Sequence, residues 1–128
     1  MNPSAAGKSY PDATFTLDPE RVRAFREVFD DTSEGVPVTF VTAAEFTVIP
    51  TIVGDPELGL DFSKVLHGSQ EYEFRRPLEV GETVTIRTRI EAIRAFGGSA
   101  FLTILTELVG TDGEVACTAR STMIERGD

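Results

Sequence analysis

The segment Val36–Val53, VPVTFVTAAEFTVIPTIV, decides the fold because it is apolar on almost every side and Glu45 is its only charged residue. Residues 39–49 leave no continuous polar face when they are placed on a helix, and a helix without a polar face has to be buried. Pro50 and Gly54 are helix-ending residues. The sequence therefore predicts a buried central helix of about three turns, around which the rest of the chain must wrap.

The apolar pattern changes after His67 from a helical period to a period of two, which indicates antiparallel strands. Turn signals at Pro77–Gly81, Gly97–Gly98 and Thr111–Gly113 divide this part of the chain. The predicted strands cover residues 66–76, 83–95, 100–109 and 114–124. A curved antiparallel sheet of four long strands is therefore expected to close around the helix.

Alternation assigns the residues of the first long strand, LHGSQEYEFRRPL, to two faces. One predicted face carries Leu66, Gln70, Tyr72 and Phe74, and the other carries His67, Glu71, Glu73 and Arg75. In the next strand, Val84, Ile86, Thr88 and Ile90 are predicted to face inward. The strand 100–109 is apolar on both faces, with Phe101, Leu105 and Val109 opposite Leu102, Ile104 and Leu108. A lone sheet cannot bury both faces, so we expect a second copy to cover the outer one.

The first part of the chain contains a short strand and a surface helix. Asp18 precedes Pro19 and Glu20, an order typical of a helix N-cap followed by the first turn. Residues 14–17 are predicted to form an edge strand. Residues 1–11 are small and polar with Pro and Gly, so we expect a loose arm.

Length and composition limit the class of protein. A chain of 128 residues fits one domain, here residues 1–128, with an adequate core. Its 12 basic and 21 acidic residues give a net charge of -9, which argues against binding to nucleic acid or to an anionic membrane. Cys117 is the only cysteine, no Cys/His spacing resembles a zinc site, and no segment reaches the roughly 18 apolar residues of a membrane span. We expect a cytoplasmic protein without a metal or cofactor.

The order of a surface helix, a buried helix and long antiparallel strands is α+β, with the helices on one face of the sheet. It resembles the hot-dog fold. Residues 65–81, VLHGSQEYEFRRPLEVG, resemble the MaoC-like dehydratase N-terminal family in their LHG, E-x-E, RP and glycine-turn pattern. The VPVTF approach to the buried helix is similar to the same family, and the resemblance covers residues 14–125.

The resemblance implies a function with acyl thioesters. Members of this family include the substrate-binding subunit of heterodimeric bacterial (3R)-hydroxyacyl-thioester dehydratases. Related hydratases use an Asp and a His within a G-D-x-N-P-x-H segment as acid and base. Here residues 30–35 are only DDTSEG, and the GDP triplet 54–56 has no following histidine. The resemblance therefore implies an acyl-CoA-binding or acyl-carrier-protein-binding subunit of fatty-acid metabolism, a homodimer or a heterodimer whose catalytic partner supplies Asp and His.

Two residues are weak catalytic candidates. His67 is the only histidine, and a structural hydrogen bond at the start of a strand is the preferred interpretation. Glu45 resembles the helix carboxylate that some hot-dog thioesterases use as nucleophile or base. A lone charge on an apolar helix needs a partner or a solvated cleft, so structural pairing or a subunit boundary is preferred. Asp30, Asp31 and Glu34 are expected to lie in a solvated loop.

Candidate substrate-binding residues form an apolar and a basic group. The apolar residues Phe40, Phe46, Ile49 and Ile52 line an acyl tunnel or simply belong to the core. Arg75 and Arg76, with Arg87, Arg89 and Arg94, bind the phosphates of a CoA or phosphopantetheine arm or form a solvated sheet face. Two other functions stay open, namely a self-sufficient thioesterase using Glu45 and a non-enzymatic acyl-binding module.

Overall fold

A computed structural model describes residues 1–128, and its main element is one five-stranded antiparallel sheet. The strands are β1 (Ala13–Thr16), β2 (Val65–Phe74), β3 (Thr83–Phe96), β4 (Ser99–Val109) and β5 (Val115–Glu125), in the order β1-β3-β4-β5-β2. The helices are α1 (Pro19–Val28), α2 (Val41–Glu45) and α3 (Ile49–Val53), with 3₁₀ turns at Pro3–Ala5, Val38–Phe40 and Phe62–Lys64. The predicted α+β hot-dog architecture is confirmed.

Helix α1 begins where the sequence predicts. The Asp18 carboxylate accepts a hydrogen bond from the backbone N–H of Arg21 at 3.0 Å, and Pro19 occupies the first turn, where its missing N–H costs nothing. Val22 is fully buried on the inner side of the helix, whereas Phe29, just after its end, is 65% exposed. The predicted half-buried surface helix is therefore confirmed.

The central helix is not continuous, and this prediction is wrong. Helix α2 ends at Glu45, and α3 begins at Ile49 after an intervening turn. Pro50 explains the break. In a continuous helix Pro50 could not donate a hydrogen bond to the carbonyl of Phe46, because proline has no backbone N–H, and the proline ring would press against that carbonyl. The break leaves the Phe46 side chain 61% exposed, so the segment is not buried on every side either.

The sheet and the helices share two apolar clusters. Phe40, Val41 and Ala44 pack with inward residues of β1, β3, β4 and β5 in the first cluster. Ile52 packs in the second cluster with Ile90, Leu102 and Met123. The four residues of β3 predicted to face inward are all buried, which confirms the alternation of that strand: Val84, Ile86, Thr88 and Ile90.

Two of the three apolar residues on the outer face of β4 are already buried within a single chain. Leu105 and Val109 are 5% and 3% exposed, respectively, although they lie on the face opposite Leu102 and Leu108. Phe101, the third, is only half-buried, so burial of Leu105 and Val109 needs no second copy and the dimer stays a prediction.

The first eleven residues are not a loose arm. Gly7 donates its N–H to the carbonyl of Ile90 at 2.8 Å, and Tyr10 donates to that of Thr88 at 2.9 Å, so the segment pairs with β3 beyond the end of β1. The Tyr10 hydroxyl also donates to Asp55 at 2.8 Å. Small, polar residues suggested disorder, but the unpaired edge of the longer strand β3 supplies bonds for the arm.

A β-bulge near the start of β2 changes which residues face inward. His67 pairs with Met123 but Ser69 pairs with Thr122, so Gly68 is the extra residue. A Cβ atom on Gly68 would lie 3.0 Å from Cδ1 of Ile124, which explains the glycine. The bulge moves His67 to the face of Gln70 and leaves Leu66 on the other face, 52% exposed. The predicted faces of these two residues were therefore wrong.

None of the helices is long and apolar enough to cross a membrane. The cytoplasmic location stays a prediction.

Candidate functional site

A cavity of about 400 Å³ lies between the central helices and the start of β2. Its volume falls within the roughly 300–1,000 Å³ of small-ligand sites. It is lined by five apolar and four polar side chains: Phe46, Ile49, Phe62, Val65 and Met123 with Thr42, Glu45, His67 and Ser121. An apolar pocket with a few polar groups at one place is the usual form of a binding site for a largely apolar ligand.

Glu45 is the buried charge of this site, only 2% exposed. The side-chain amide of Gln70 donates to its two carboxylate oxygens at 3.0 and 3.1 Å, and the Tyr72 hydroxyl donates to Oε1 at 3.3 Å. The Thr42 hydroxyl hydrogen-bonds to that of Tyr72 in turn. The predicted structural pairing of Glu45 is therefore observed, although its partners are neutral groups and not a cation.

Burial raises the pKa of Glu45 above its usual value, because desolvation disfavours the charged carboxylate. The hydrogen bonds from Gln70 and Tyr72 and the proximity of His67 act in the opposite direction but do not cancel this effect. The same desolvation, reinforced by the Glu45 charge, raises the pKa of the nearby Cys117 thiol to about 11. The thiol is therefore protonated and unreactive at neutral pH.

His67 reaches the same network through Gln70. Its Nε2 lies 3.1 Å from the Gln70 carbonyl oxygen, so the N–H tautomer at Nε2 donates this bond. One amide therefore connects the imidazole on one side to the carboxylate on the other. The sequence interpretation of His67 as a hydrogen-bonded structural residue agrees with this contact, and the bulge at Gly68 brings the ring to the cavity.

The structure separates the four apolar candidates. Phe46 and Ile49 line the cavity. Phe40 is 3% exposed in the first apolar cluster, and Ile52 is fully buried in the second, so neither reaches the cavity wall. The core interpretation applies to those two residues, and only half of the predicted tunnel lining comes together.

The arginines lie away from the cavity. Arg76 forms a forked ion pair with Glu82, with nitrogen–oxygen distances of 3.0 and 2.8 Å, beyond the far end of β2. Arg87 lies 3.5 Å from Asp12 at the sheet edge. Arg75 is exposed and forms no ion pair. Phosphate binding by Arg75 and Arg76 stays a prediction.

The acidic loop after α1 is solvated, as expected. Asp30 and Glu34 are exposed, and Asp31 accepts a hydrogen bond from the backbone N–H of Ser33 at 2.9 Å. No group of three or more His, Cys, Asp or Glu side chains is arranged to hold a metal ion.

Sequence reasoning missed five lining residues of the cavity, Thr42, Phe62, Val65, Ser121 and Met123, and the roles of Gln70 and Tyr72. A signal for Gln70 and Tyr72 was present. They are polar residues on the inward face of a strand that packs against a helix with one carboxylate, and a buried carboxylate requires such donors. Ser121 carried a similar signal, since it lies between the inward-facing Ala119 and Met123 of β5.

Comparisons with known proteins agree with this architecture. Residues 32–119 match the family described as "FAS1-like, dehydratase domain region". A "UPF0336 protein" of Saccharopolyspora erythraea is 32% identical over 144 residues, which cover 99% of this chain and 92% of that protein.

Two solved structures share the fold. The (3R)-hydroxyacyl-ACP dehydratase complex HadBC of Mycobacterium tuberculosis superposes with a TM-score of 0.77 at 20% identity, covering 94% of this chain and 96% of the matched chain. A structure described as "MaoC-like dehydratase" gives a TM-score of 0.82 at 18% identity and covers 97% of this chain but 43% of the other.

Proposed function

Since the chain belongs to the FAS1-like dehydratase-region family and shares the fold of a MaoC-like dehydratase, we propose that it is the acyl-thioester-binding subunit of a 3-hydroxyacyl-thioester dehydratase. In this proposal the acyl chain of a CoA or carrier-protein thioester enters the cavity beside α2. The catalytic Asp and His come from a second hot-dog chain.

The cavity is the observation that carries this proposal. Its walls are mainly apolar, and its mouth is bordered by Phe46 and Phe62, each 61% exposed. Its one carboxylate, Glu45, is buried and already accepts three hydrogen bonds. A carboxylate fixed in this way suits a binding wall better than a nucleophile, because attack would require it to leave its donors.

A partner is part of the proposal because the sequence of this chain contains no G-D-x-N-P-x-H segment. Dehydration needs a proton acceptor for carbon 2 and a proton donor for the departing hydroxyl, and such assistance is typically worth about 10²- to 10⁴-fold in rate. The loop 30–35 that precedes the central helices contains no histidine. The structural neighbour from M. tuberculosis is itself described as a complex, which supports a two-subunit arrangement.

The test is an assay for hydration of 2-enoyl-CoA substrates, in which the loss of substrate absorbance is measured. The purified chain should show negligible turnover, and co-expression with a hot-dog chain that carries G-D-x-N-P-x-H should produce activity. His67→Ala in that complex should lower the rate only modestly, by less than about tenfold, because His67 positions Gln70 and does not act as the base. Rapid turnover by the isolated chain that His67→Ala abolishes would refute the proposal.

A self-sufficient thioesterase is the second candidate, favoured by one observation. Glu45 lines the cavity and its pKa is raised, which brings a carboxyl closer to the range useful for general-base work. Release of CoA from acyl-CoA by the isolated chain, lost in Glu45→Gln, would support this function. Binding of acyl-CoA with no turnover, alone or with any hot-dog partner, would indicate a non-enzymatic acyl-binding module.

A further inference from the structure

Two hydroxyl groups connect Glu45 to the outer part of the cavity wall. The Tyr72 hydroxyl lies 3.3 Å from Oε1 of Glu45, and the Thr42 hydroxyl contacts that of Tyr72. We call these three residues the relay. A tyrosine hydroxyl carries one proton, and an ionised carboxylate can only accept hydrogen bonds. When Glu45 is ionised, Tyr72 therefore donates to Glu45, and Thr42 donates to Tyr72.

Protonation of Glu45 reverses the direction of the relay. A protonated carboxyl group carries an O–H, which needs an acceptor. The side-chain nitrogen of Gln70 is itself a donor to Glu45 and cannot accept this hydrogen bond. The Tyr72 oxygen can accept it, and Tyr72 then donates to Thr42. Both hydroxyls rotate about their C–O bonds and keep their own protons, so the only proton added is the one on Glu45.

Thr42 is the outer end of the relay. It lines the cavity and is half-buried, whereas Glu45 at the other end is only 2% exposed. With Glu45 ionised, the Thr42 proton is engaged by Tyr72, and the Thr42 oxygen offers only lone pairs to a ligand. With Glu45 protonated, Thr42 accepts from Tyr72, and its own proton is free for an acceptor in the cavity.

A thioester supplies such an acceptor, because its carbonyl oxygen accepts hydrogen bonds and has no proton to donate. Against the ionised relay, the same carbonyl would meet an oxygen without a free proton and lose this hydrogen bond. We propose that the relay is a pH-controlled donor, in which the Thr42 hydroxyl binds a ligand carbonyl when Glu45 is protonated and releases it when Glu45 ionises. This inference concerns the regulation of the proposed acyl-binding function and rests on it.

Glu45 is the group of this network whose titration fits the switch. The other ionisable groups that face it are His67 and Tyr72 of β2 and Cys117 of β5. Burial raises the pKa of the Tyr72 hydroxyl and raises that of the Cys117 thiol to about 11, so both stay protonated below about pH 8. His67 is connected to Glu45 only through Gln70. Burial also raises the pKa of Glu45 above its ordinary value.

The experiment compares two neutral ligands at about pH 5 and pH 8. The thioester of decanoic acid with N-acetylcysteamine carries the carbonyl, and the corresponding decyl thioether lacks it. The ratio of their affinities therefore measures the carbonyl contact at constant chain length, without any ionisation of the ligand. Calorimetric titration of the wild-type protein should give a ratio about two- to tenfold larger at the lower pH, as expected for one neutral hydrogen bond.

Three substitutions should remove the pH dependence of this ratio in different ways. Glu45→Gln keeps a neutral donor and acceptor at this position and should hold the ratio at its acid value. Tyr72→Phe frees the Thr42 proton at every pH and should also hold the ratio high, whereas Thr42→Val removes the donor and should hold it low. Thr47→Val is the matched control and should behave as wild type, because the Thr47 hydroxyl donates to the Ala44 carbonyl at 2.7 Å and lies outside the relay.

The outcomes separate this inference from the proposed function. If neither ligand binds at either pH, the acyl-binding function is wrong, and the relay fails as a ligand donor with it. If both ligands bind and the wild-type ratio does not depend on pH, the relay is wrong while acyl binding stands. A pH dependence that Tyr72→Phe leaves intact would overturn the role of the relay. His67→Gln should keep the dependence, and its loss there would assign the switch to the imidazole and overturn the inference.

Discussion

The Gln70 side-chain nitrogen lies 3.0 and 3.1 Å from the two carboxylate oxygens of Glu45, so a neutral amide and not a cation supports the one buried acid of the cavity. Support by a dipole offsets less of the desolvation cost than an ion pair would. The consequence is a carboxyl whose pKa is raised, and this leads to the first prediction.

Glu45→Gln should make stability less sensitive to alkaline pH. The folded protein holds the Glu45 proton above the usual carboxyl pKa, so its stabilising contribution is complete below about pH 4.5 and is lost as pH rises through the raised value. The variant is neutral throughout, so its melting temperature should rise relative to wild type between pH 4.5 and 8. The expected gain at pH 8 is on the order of 1 kcal/mol.

Glu82→Gln is a control in which the stability difference from wild type should depend on pH in the opposite direction. Arg76 lowers the pKa of Glu82, so the contribution of Glu82 is present above about pH 4.5 and is lost as pH falls through the lowered value. This variant should be less stable than wild type at pH 7 and approach it in acid. If the stability difference from wild type changed with pH in the same direction for both variants, the raised pKa assigned to Glu45 would be contradicted.

Gly68→Ala should destabilise the protein by about 1–3 kcal/mol, the usual cost of overpacking. The added Cβ would lie 3.0 Å from Ile124 Cδ1 and 3.2 Å from the Thr122 carbonyl oxygen, so the bulge would have to shift. Because the bulge directs His67 toward Gln70, the His67 ring resonances should move as well. Ser69→Ala, at the exposed neighbouring position, should leave both chemical denaturation and the NMR spectrum nearly unchanged.

The chain should form a dimer through the mouth of the cavity. Phe46 and Phe62 are each 61% exposed there, and such clustered apolar side chains usually mark an interface. Phe46→Glu should raise the dimer dissociation constant at least about tenfold, as loss of an aromatic anchor does. The matched control Phe96→Glu changes another aromatic that is 78% exposed, at the β3–β4 hairpin, and should have little effect. Light scattering near 13.9 kDa at micromolar wild-type protein would contradict the dimer.

Arg75 and Arg76 should behave differently on substitution. Arg76→Ala breaks the fork to Glu82 and should lower stability by about 0.5–1 kcal/mol, whereas Arg75→Ala should not change the melting temperature. Arg75 carries a free guanidinium and is the better phosphate ligand, so its loss should weaken CoA binding about two- to fivefold at low salt and less at moderate salt, where screening is stronger. Unchanged affinity for CoA in Arg75→Ala would assign both residues to the solvated face.

Local signals predicted most of the fold. Asp18 and Pro19 define a helix start that depends only on neighbouring backbone groups, and Gly97 with Gly98 supplies the two positive φ angles, 60° and 79°, that a tight hairpin requires. The inward face of β3 follows from alternation alone.

Non-local effects account for the errors. One extra residue at Gly68 exchanged the faces of Leu66 and His67, and the residue that leaves little room for a side chain at this position, Ile124, is 56 positions away in the chain. The arm was misread because its backbone partners, Thr88 and Ile90, lie on a strand far along the sequence. The sequence singled out Glu45 and placed Gln70 and Tyr72 on one face of a strand, but only the packing of β2 against α2 identifies these two residues as its donors.

The pairing of residues 7–10 with β3 limits how the sheet can grow. With the arm and β1 along one side, the backbone of β3 has no long stretch left for another chain, and the four-residue β1 offers little in its place. On the opposite side, the ten-residue strand β2 ends the sheet without a neighbour. A sheet with one free edge strand can pair with one identical molecule, and that pairing leaves neither molecule with a free edge. If copies of this chain pair edge to edge through β2, the assembly should therefore stop at two, because a second free edge of similar length, which continued stacking would need, is missing.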